Sequence, residues 1–167
     1  MSLLAIFLKP RDRLEGAQAA MPTTTAAALP EWRFVFSRDG HSVDRRGQAR
    51  TDSWPSADRV VVVVDELDVA WLRGRVPRVR SSRLQPVLQG LLEDDVLTDL
   101  GRTHLALGPT VSDARDEYWI AAVERPWLQT QLDGLAQSGV SVDAVVCASE
   151  PTPTTQCHVR QGVNGQI

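Results

Sequence analysis

Apolar residues fall in short runs along the chain, and each run predicts one element of secondary structure. Residues 3–8 are continuously apolar and predict a first buried strand. Aromatic residues at every second position of 32–37 lead into Asp39-Gly40, which predicts a hairpin whose second strand begins in "HSVDRRG". Residues 60–64 are five consecutive valines, which predict a central strand buried on both faces.

The middle of the chain predicts a strand and then a helix. Residues 69–76 alternate between a mainly apolar face and a face that carries arginines, as in a strand with one side exposed. Ser82, with Gln85 three positions on, is typical of a capping box at the start of a helix. A helix over 83–95 is predicted by leucines that share one helical face: Leu84, Leu88, Leu91 and Leu92.

The second half predicts a hairpin, a helix and a last strand. Residues 103–108 and 118–123 are short apolar strands, which we expect to pair with each other. Pro126 is typical of a helix start, and Gly139 of a left-handed cap at a helix end. Residues 140–147 predict the strand that follows. The composition is ordinary for an α/β or an α+β protein.

Two segments are poor in apolar periodicity. Residues 16–30 are rich in Ala, Thr and Pro and predict a long loop. After residue 148 the chain alternates Pro and Thr, and residues 156–161 then predict a strand that runs into Asn164-Gly165, a hairpin signal. Because a final strand without a partner is a poor natural end, we expect the chain to be a fragment of a longer protein.

Charge and hydrophobic length exclude two classes of protein. The net charge is -3, and 13 Lys and Arg stand against 10 Asp and Glu in residues 1–80, but 5 against 11 in residues 81–167. This balance is too mixed for a nucleic-acid-binding domain. The N-terminal "LLAIFL" is too short for a signal peptide, and no apolar run approaches the length of a membrane span.

The residues that usually carry catalysis show no recognisable arrangement. Cys147 and Cys157 favour reduced thiols over a disulfide framework. The three histidines lie in unrelated segments without triad or metal-ligand spacing: His41, His104 and His158. No glycine-rich phosphate loop occurs. The acids at 65–68 and 93–95 could hold a cation such as magnesium, but solvated turns are the more ordinary explanation.

Two groups of charged residues flank the predicted helix. The densest basic cluster precedes and opens it, and could bind phosphate or an acidic surface: Arg73, Arg75, Arg78, Arg80 and Arg83. At its end Glu93, Asp94 and Asp95 crowd the negative pole of the helix dipole, which costs about a few tenths of a kcal/mol each. A basic partner would explain these acids, and so would a different helix end. A solvated face would explain the arginines.

The order of these features resembles the cytoplasmic domain of the type II secretion system protein L family. That family has a valine-rich strand, a second strand ending in Leu/Val-Pro, an arginine-bearing turn, an "LPxxLEDxL" helix and an "hFaLG" strand. Here they correspond to residues 60–64, Val76-Pro77, residues 80–83, "QPVLQGLLED" and "HLALG". The later "AAVERPWLQTQLDGLAQSGV" is similar to the family's "WL…L..L…G" segment, so the resemblance covers about residues 32–146.

The resemblance implies an α/β fold with a mixed sheet and flanking helices, of the actin-like and ribonuclease-H type. It places one lobe in residues 1–150, with an α/β subdomain inserted at about 60–125. Residues 151–167 would be a linker and the start of a truncated second lobe. The family's membrane helix would lie in a segment absent from this chain, which we expect to be a soluble fragment on the cytoplasmic side of the bacterial inner membrane.

The resemblance also implies a scaffold and not an enzyme. The family binds the N-terminal domain of the secretion ATPase and couples it to other inner-membrane platform proteins, and a homodimer is a further partner to consider. We expect no cofactor and no metal, since Lys9-Pro10 stands where an actin-type ATPase needs a phosphate-binding hairpin. The candidate contact residues are Arg78, Arg80, Arg83, Glu93, Asp94, Asp95 and Asp99.

Two other functions stay open at this point. The first is a nucleotide-binding actin-like ATPase, with Asp65, Glu66 or Asp68 as metal ligands. The second is a pilus-assembly homologue of the same fold with a different partner. The first would bind magnesium-ATP, whereas the second differs from the secretion scaffold only in what it contacts.

Overall fold

The computed structural model describes residues 1–11, 31–93, 99–111 and 116–152. Within these ranges the strands are β1 (Leu3–Phe7), β2 (Trp32–Ser37), β3 (Arg45–Ala49), β4 (Arg59–Val64), β5 (Ala70–Arg75), β6 (Thr103–Thr110), β7 (Glu117–Glu124) and β8 (Ala144–Cys147). The helices are α1 (Ser81–Leu92) and α2 (Arg125–Gln137). Short 3-10 helices lie at Thr51–Ser53, Glu66–Asp68 and Leu100–Arg102.

Five strands form a mixed sheet in the order β3-β2-β1-β4-β8. The first three are antiparallel, while β4 joins β1 in parallel with Leu3 opposite Arg59, and β8 joins β4 in parallel with Val61 opposite Ala144. Parallel neighbours need a crossover connection, and α2 lies in the connection from β4 to β8. The expected α/β fold, a mixed sheet with flanking helices, is confirmed.

The main core lies between this sheet and α2. Ile6 of β1, Val62 and Val64 of β4, and Leu135 of α2 are almost completely removed from solvent. Burying a side chain of this size contributes roughly 1.5–3 kcal/mol relative to leaving it exposed. The valine run therefore forms the central buried strand that its composition predicted.

The chain between β4 and α2 forms a second, antiparallel sheet in the order β5-β7-β6. Its middle strand is buried on both faces. Ile120 and Ala122 pack with Leu88 of α1 in a second core, whereas Ala121 and Val123 belong to the main core. Strand β7 thus connects the two cores through alternate side chains.

The predicted hairpin of β2 and β3 is confirmed, and Asp39 organises its loop. Its carboxylate accepts hydrogen bonds from the N–H groups of Ser42 and His41 at 2.8 Å each. It also accepts from the hydroxyls of Ser42 and Ser37. These bonds, the backbone ones first, lower the pKa of Asp39 well below its usual range. Gly40 supplies the positive φ of 80° that the turn requires.

The predicted start of the first helix is wrong. Helix α1 begins at Ser81, so the capping box at Ser82 does not form, and its N-cap Arg80 makes no side-chain capping bond. The side-chain amide of Gln85 donates instead to the carbonyl of Leu105 in β6. A tertiary hydrogen bond has therefore taken the side chain that the local pattern assigned to the cap.

The second helix agrees better with its prediction. A proline occupies the first turn of α2, and Gly139 beyond its end has a φ of 78°, as expected for a left-handed cap. The strand predicted at 140–147 is confirmed over its second half. The loop predicted at 16–30 and the strand at 156–161 lie outside the described residues. No helix within the described ranges is long and apolar enough to cross a membrane.

Candidate functional site

Helix α1 is fixed to the three-stranded sheet along one side. Leu88 and Leu92 are fully buried in the second core. The hydrogen bond from Gln85 to the carbonyl of Leu105 joins the helix to β6 next to them. This packing leaves the opposite side of the helix facing solvent.

Four of the seven predicted contact residues are exposed on α1 or directly beside its ends. By the α1 surface we mean the exposed residues Arg78, Val79, Arg80, Arg83, Gly90, Leu91 and Glu93. The arginines precede or open the helix, and the glutamate follows it. Since α1 has 12 residues, its two ends lie about 18 Å apart at about 1.5 Å per residue. The structure therefore places the basic and acidic residues at opposite ends of one surface.

The charges at both ends of α1 oppose the helix dipole. Within this described helix the first turn has no acidic residue and the last turn no basic one. Arg80 and Arg83 instead lie at the positive N-terminal pole, and Glu93 lies at the negative pole. An exposed charge at the wrong pole costs about 0.3–1 kcal/mol. Helix stability does not explain these three residues.

Three further residues of the α1 surface are unexplained by packing within the described chain. Val79 and Leu91 are 37% and 38% exposed. Gly90 lies inside the helix, where glycine costs roughly 0.5–1 kcal/mol relative to alanine. A Cβ added at Gly90 would meet no atom of the described residues within 4 Å beyond the helix's own backbone. Open space above a glycine lets the backbone of another molecule approach closely.

The remaining predicted contacts are acids beyond the helix. Asp94 and Asp95 lie outside the described residues. Asp99 is exposed, and its carboxylate accepts a hydrogen bond from the N–H of Gly101 at 2.9 Å. This bond caps the short helix Leu100–Arg102 and accounts for Asp99 without a partner.

A second group of charged residues lies beyond the carboxyl ends of β1 and β4. The Asp68 carboxylate accepts hydrogen bonds from the backbone N–H of Arg11 at 3.0 Å and from its Nε at 2.8 Å. Nη1 of the same guanidinium donates to Glu124, and the guanidinium lies 5.6 Å from the centre of the Trp127 ring. We call Arg11, Asp68 and Glu124 the Arg11 cluster. The Asp68 side chain is 1% exposed, so Arg11 neutralises a buried charge.

Hydrogen bonds already engage two of the acids at residues 65–68 that were considered as metal ligands. Both oxygens of the Asp68 carboxylate are used by Arg11, and Asp65 accepts a hydrogen bond from the N–H of Leu67 at 3.0 Å. In the described ranges no group of three or more His, Cys, Asp and Glu side chains could hold a metal ion. Cys147 is a free thiol whose pKa is raised by burial, which makes it a poor nucleophile.

The sequence pattern did not reveal the Arg11 cluster. Arg11 lies 57 positions from Asp68 and 113 from Glu124, and no local motif connects them. Only the parallel pairing of β1 with β4 and the return of β7 to the main core bring them together.

These observations describe a mixed α/β domain with a charged, exposed helix and no recognisable catalytic group among its described residues. A family model for the type II secretion system (T2SS), protein L, matches residues 22–160. The match covers most of the chain, which is therefore a component of a protein-secretion system. It belongs to the type II secretion system protein L family, and the identification from its motifs is confirmed.

Known relatives agree with this assignment. Type II secretion system protein L of Vibrio cholerae serotype O1 is 26% identical over 144 residues, which is 80% of this chain and 34% of the relative. The chain thus spans about a third of that relative's length.

Solved structures show the fold. The cytoplasmic domain of EpsL, an inner membrane component of the type II secretion system of Vibrio cholerae, matches with a TM-score of 0.58 and 22% identity over 88% of this chain and 57% of that chain. A Bacteroides thetaiotaomicron protein with an actin-like ATPase fold and unknown function matches with a TM-score of 0.39 and 7% identity, too little similarity to support an argument.

Proposed function

We propose that this chain is a non-catalytic scaffold module of the type II secretion inner-membrane platform. It binds the N-terminal region of the secretion ATPase on the cytoplasmic side of the membrane and couples the ATPase to the other platform proteins. The contact is the α1 surface. The observation that carries this proposal is that both ends of a firmly packed helix carry charges that destabilise it.

The α1 surface has the dimensions and character of a protein contact. A typical interface covers about 800 Å² on each partner, which is wide enough to include both ends of α1. Opposite charges at the two ends of α1 would fix the orientation in which a partner binds. A partner along α1 would place acidic groups beside Arg80 and Arg83 and a basic group beside Glu93, with apolar contacts to Val79 at the arginine end and to Leu91 next to Glu93.

The Arg11 cluster supports a role without nucleotide. In open α/β sheets, ligands bind in the crevice beyond the carboxyl ends of the strands. Arg11 lies there and is bonded to Asp68 and Glu124. We expect magnesium-ATP to leave the melting temperature unchanged, because a ligand raises it only by binding the folded state. A concentration-dependent rise would contradict the non-catalytic assignment.

We also propose the domain organisation that the resemblance implies. Residues 1–150 would form one lobe with an inserted subdomain, which the resemblance places at about 60–125; since β4 (Arg59–Val64) belongs to the five-stranded sheet, we propose that the inserted part begins after β4. The separate sheet β5-β7-β6 between β4 and α2 supports the insertion.

Calorimetric titration of this chain with the N-terminal domain of the secretion ATPase tests the function. We expect saturable binding with one partner per chain. The double variant Arg80→Glu/Arg83→Glu should weaken binding, and so should Glu93→Arg at the other end of α1. Reversal of two exposed arginines on β3, Arg45→Glu/Arg46→Glu, is the matched control and should leave binding unchanged.

Two results would contradict this proposal. Absence of binding by the unmodified chain would show that it lacks a complete ATPase contact. Equal binding by all variants would exclude the α1 surface from the interface. Circular dichroism of each variant establishes that the changes in binding do not arise from unfolding.

A further inference from the structure

A hollow of about 270 Å³ lies where the two sheets meet. It is lined by residues of β6 and β7 from the three-stranded sheet, of β4 and β8 from the five-stranded sheet, and of α2. Ligand pockets occur preferentially at boundaries of this kind, between separately packed parts of a protein. The hollow has room for roughly nine water molecules at about 30 Å³ each, which is the size of a small organic ligand.

Most of the lining of this hollow is apolar, and part of it is open to solvent. Leu128 of α2 belongs to the main core, whereas Val145 and Val146 of β8 are 40% and 39% exposed. Ala106 of β6 is also exposed. A ligand that covered these side chains would gain about 25 cal/mol for each Å² of apolar surface removed from water. The shape and the lining therefore favour an apolar chain.

The polar side chains that line the hollow are basic or neutral: His104, Arg125, Gln129 and Cys147. Among the described residues no acidic side chain lines it. Nη2 of Arg125 donates to the carbonyl of Thr103 at 3.1 Å, which holds the guanidinium in place. A guanidinium has five N–H donors, and this bond uses one of them. The hollow thus has a positive charge that is fixed by the fold.

The electrostatics of His104 show the reach of that charge. Burial, and then the charge of Arg125, lower the pKa of His104. The arginine is therefore close enough to disfavour a second positive charge on the imidazole. A neutral imidazole can still donate one hydrogen bond. An anion beside these two residues would be attracted by Arg125 and could accept from His104.

A neighbouring hollow of about 530 Å³ has the opposite electrostatic character. It shares Leu132 and Val145 with the first. Asp133 and Asp143 line it, and no basic side chain of the described residues does. An anion would be repelled there. Because the two hollows share apolar side chains and differ in charge, an anionic ligand should select the smaller one.

We propose that the smaller hollow binds an amphipathic carboxylate with an unbranched apolar chain of about eight carbon atoms, a length set by the volume of the hollow. The carboxylate lies against Arg125 and His104, and the chain lies along Leu128 and the exposed valines of β8. Such a ligand contacts both sheets and α2. Its binding therefore stabilises the packing of the three-stranded sheet on the rest of the domain.

This site is separate from the proposed ATPase contact. None of the residues that line the hollow belongs to the α1 surface. Carboxylate binding and ATPase binding can therefore succeed or fail independently, and each has its own variants.

Calorimetric titration of this chain with octanoate, below its micelle concentration, tests the proposal. We expect saturable binding of one octanoate per chain. 1-Octanol has the same chain without the charge, and acetate has the charge without the chain. Each should bind at least about tenfold more weakly, because each loses one of the two contributions.

Two pairs of variants locate the ligand. Arg125→Gln should raise the octanoate dissociation constant by about tenfold or more, since it removes a charged donor, and Arg125→Lys should restore part of the loss. Arg102→Gln, at an exposed arginine, is the matched control. Ala106→Phe fills the hollow and should prevent binding, whereas Ala136→Phe, in the neighbouring hollow, should leave binding unchanged.

The thiol of Cys147 gives a second readout, because it lines the hollow. The sequence has two cysteines, so in a Cys157→Ser background Cys147 is the one that remains. Octanoate should slow the reaction of this thiol with a soluble thiol reagent. Half of the protection should occur at the dissociation constant that calorimetry gives. Ala106→Phe should abolish the dependence on octanoate.

Three outcomes would overturn the proposal. Absence of saturable octanoate binding would show that the hollow is not a carboxylate site. Equal binding by the wild type and Ala106→Phe would place the ligand elsewhere on the protein. If 1-octanol binds as tightly as octanoate and protects Cys147 equally, Arg125 and His104 do not recognise a carboxylate.

Discussion

Helices α1 and α2 have similar lengths and each packs on a sheet, but the fold explains only one of them. Helix α2 has a proline in its first turn, places Leu128 and Leu135 in the main core and ends before Gly139. Both helices lack a side-chain N-cap bond, and α2 also has an arginine at its first position, Arg125, which donates to the carbonyl of Thr103. Helix α1 in addition carries Pro86 in its interior and Glu93 at its C-terminal end. Both helices are firmly packed, so packing does not account for the difference.

The comparison separates residues that serve the fold from residues that serve a partner. In α2 the proline position, the glycine after the helix and the apolar side favour the same structure, and a hydrogen bond to the carbonyl of Thr103 accounts for Arg125 at its start. In α1 the apolar side obeys the same rules, while the exposed side carries an interior proline, an interior glycine and charges at both ends that oppose the dipole. A concentration of such violations on one exposed side is typical of functional surfaces.

The largest expected effect comes from the cores beneath the two helices. Leu88→Ala in α1 and Leu135→Ala in α2 each remove a fully buried side chain, which should destabilise the protein by about 2–5 kcal/mol. Hydrogen exchange should show that Leu88→Ala loosens the three-stranded sheet while β1 and β4 stay protected. Leu135→Ala should loosen the five-stranded sheet. Uniform loss of protection in both variants would show that the two cores unfold as one unit.

The next largest effect on the free energy of unfolding is expected from the Arg11 cluster. This cluster belongs with α2 in the comparison, because Glu124 is the N-cap of α2. Arg11→Gln leaves the buried Asp68 without its guanidinium and should cost about 3 kcal/mol in the free energy of unfolding. Arg102→Gln is the control, because Arg102 is 65% exposed and 3.4 Å from Glu124. Chemical denaturation should show a change of less than about 1 kcal/mol for the control. If Arg11→Gln and Arg102→Gln lower the free energy of unfolding equally, the burial of Asp68 is not the cause of the destabilisation.

A pair of glycines compares the exposed sides of the two helices directly. Among the described residues, a Cβ at Gly90 of α1 or at Gly134 of α2 would meet no atom within 4 Å beyond its own helix backbone. Alanine at either position should therefore stabilise the protein by roughly 0.5–1 kcal/mol. We expect only Gly90→Ala to weaken ATPase binding, as measured by calorimetry. Equal binding by both variants would remove Gly90 from the contact.

The smallest effect on stability is expected at the start of α1. Arg83→Glu places a negative charge near the positive pole of the helix and should raise the free energy of unfolding by about 0.3–1 kcal/mol. The same change should weaken ATPase binding. Thermal unfolding measures the stability and calorimetric titration measures ATPase binding, each at low and at high salt. If the variant is more stable and binds the ATPase equally well, Arg83 contributes neither to the stability of the helix nor to ATPase binding.

Local patterns predicted the strands and the family, but not the contacts between distant segments. The valine run and the "QPVLQGLLED" motif are contiguous, so the sequence alone was enough to interpret them. The start of α1 was wrong because Leu105, twenty positions away, accepts the hydrogen bond of Gln85. The partners of Arg11 depend on the sheet topology, and no periodicity encodes that topology. Charge patterning located the arginines of the α1 surface, whereas the exposure of Val79 before the helix was not predicted by any local pattern.

The parallel pairing of β4 with β8 also sets the order in which the chain folds. The hydrogen bond from the Val60 N–H to Asp143 closes a separation of 83 positions, whereas β6 and β7 are neighbours in sequence. Long loops cost more entropy to close, so contacts of this range form late. During synthesis the three-stranded sheet can form before β8 has left the ribosome, since the chain emerges from its N-terminus. Until β8 arrives, β4 presents its own valines as the exposed edge of the growing sheet.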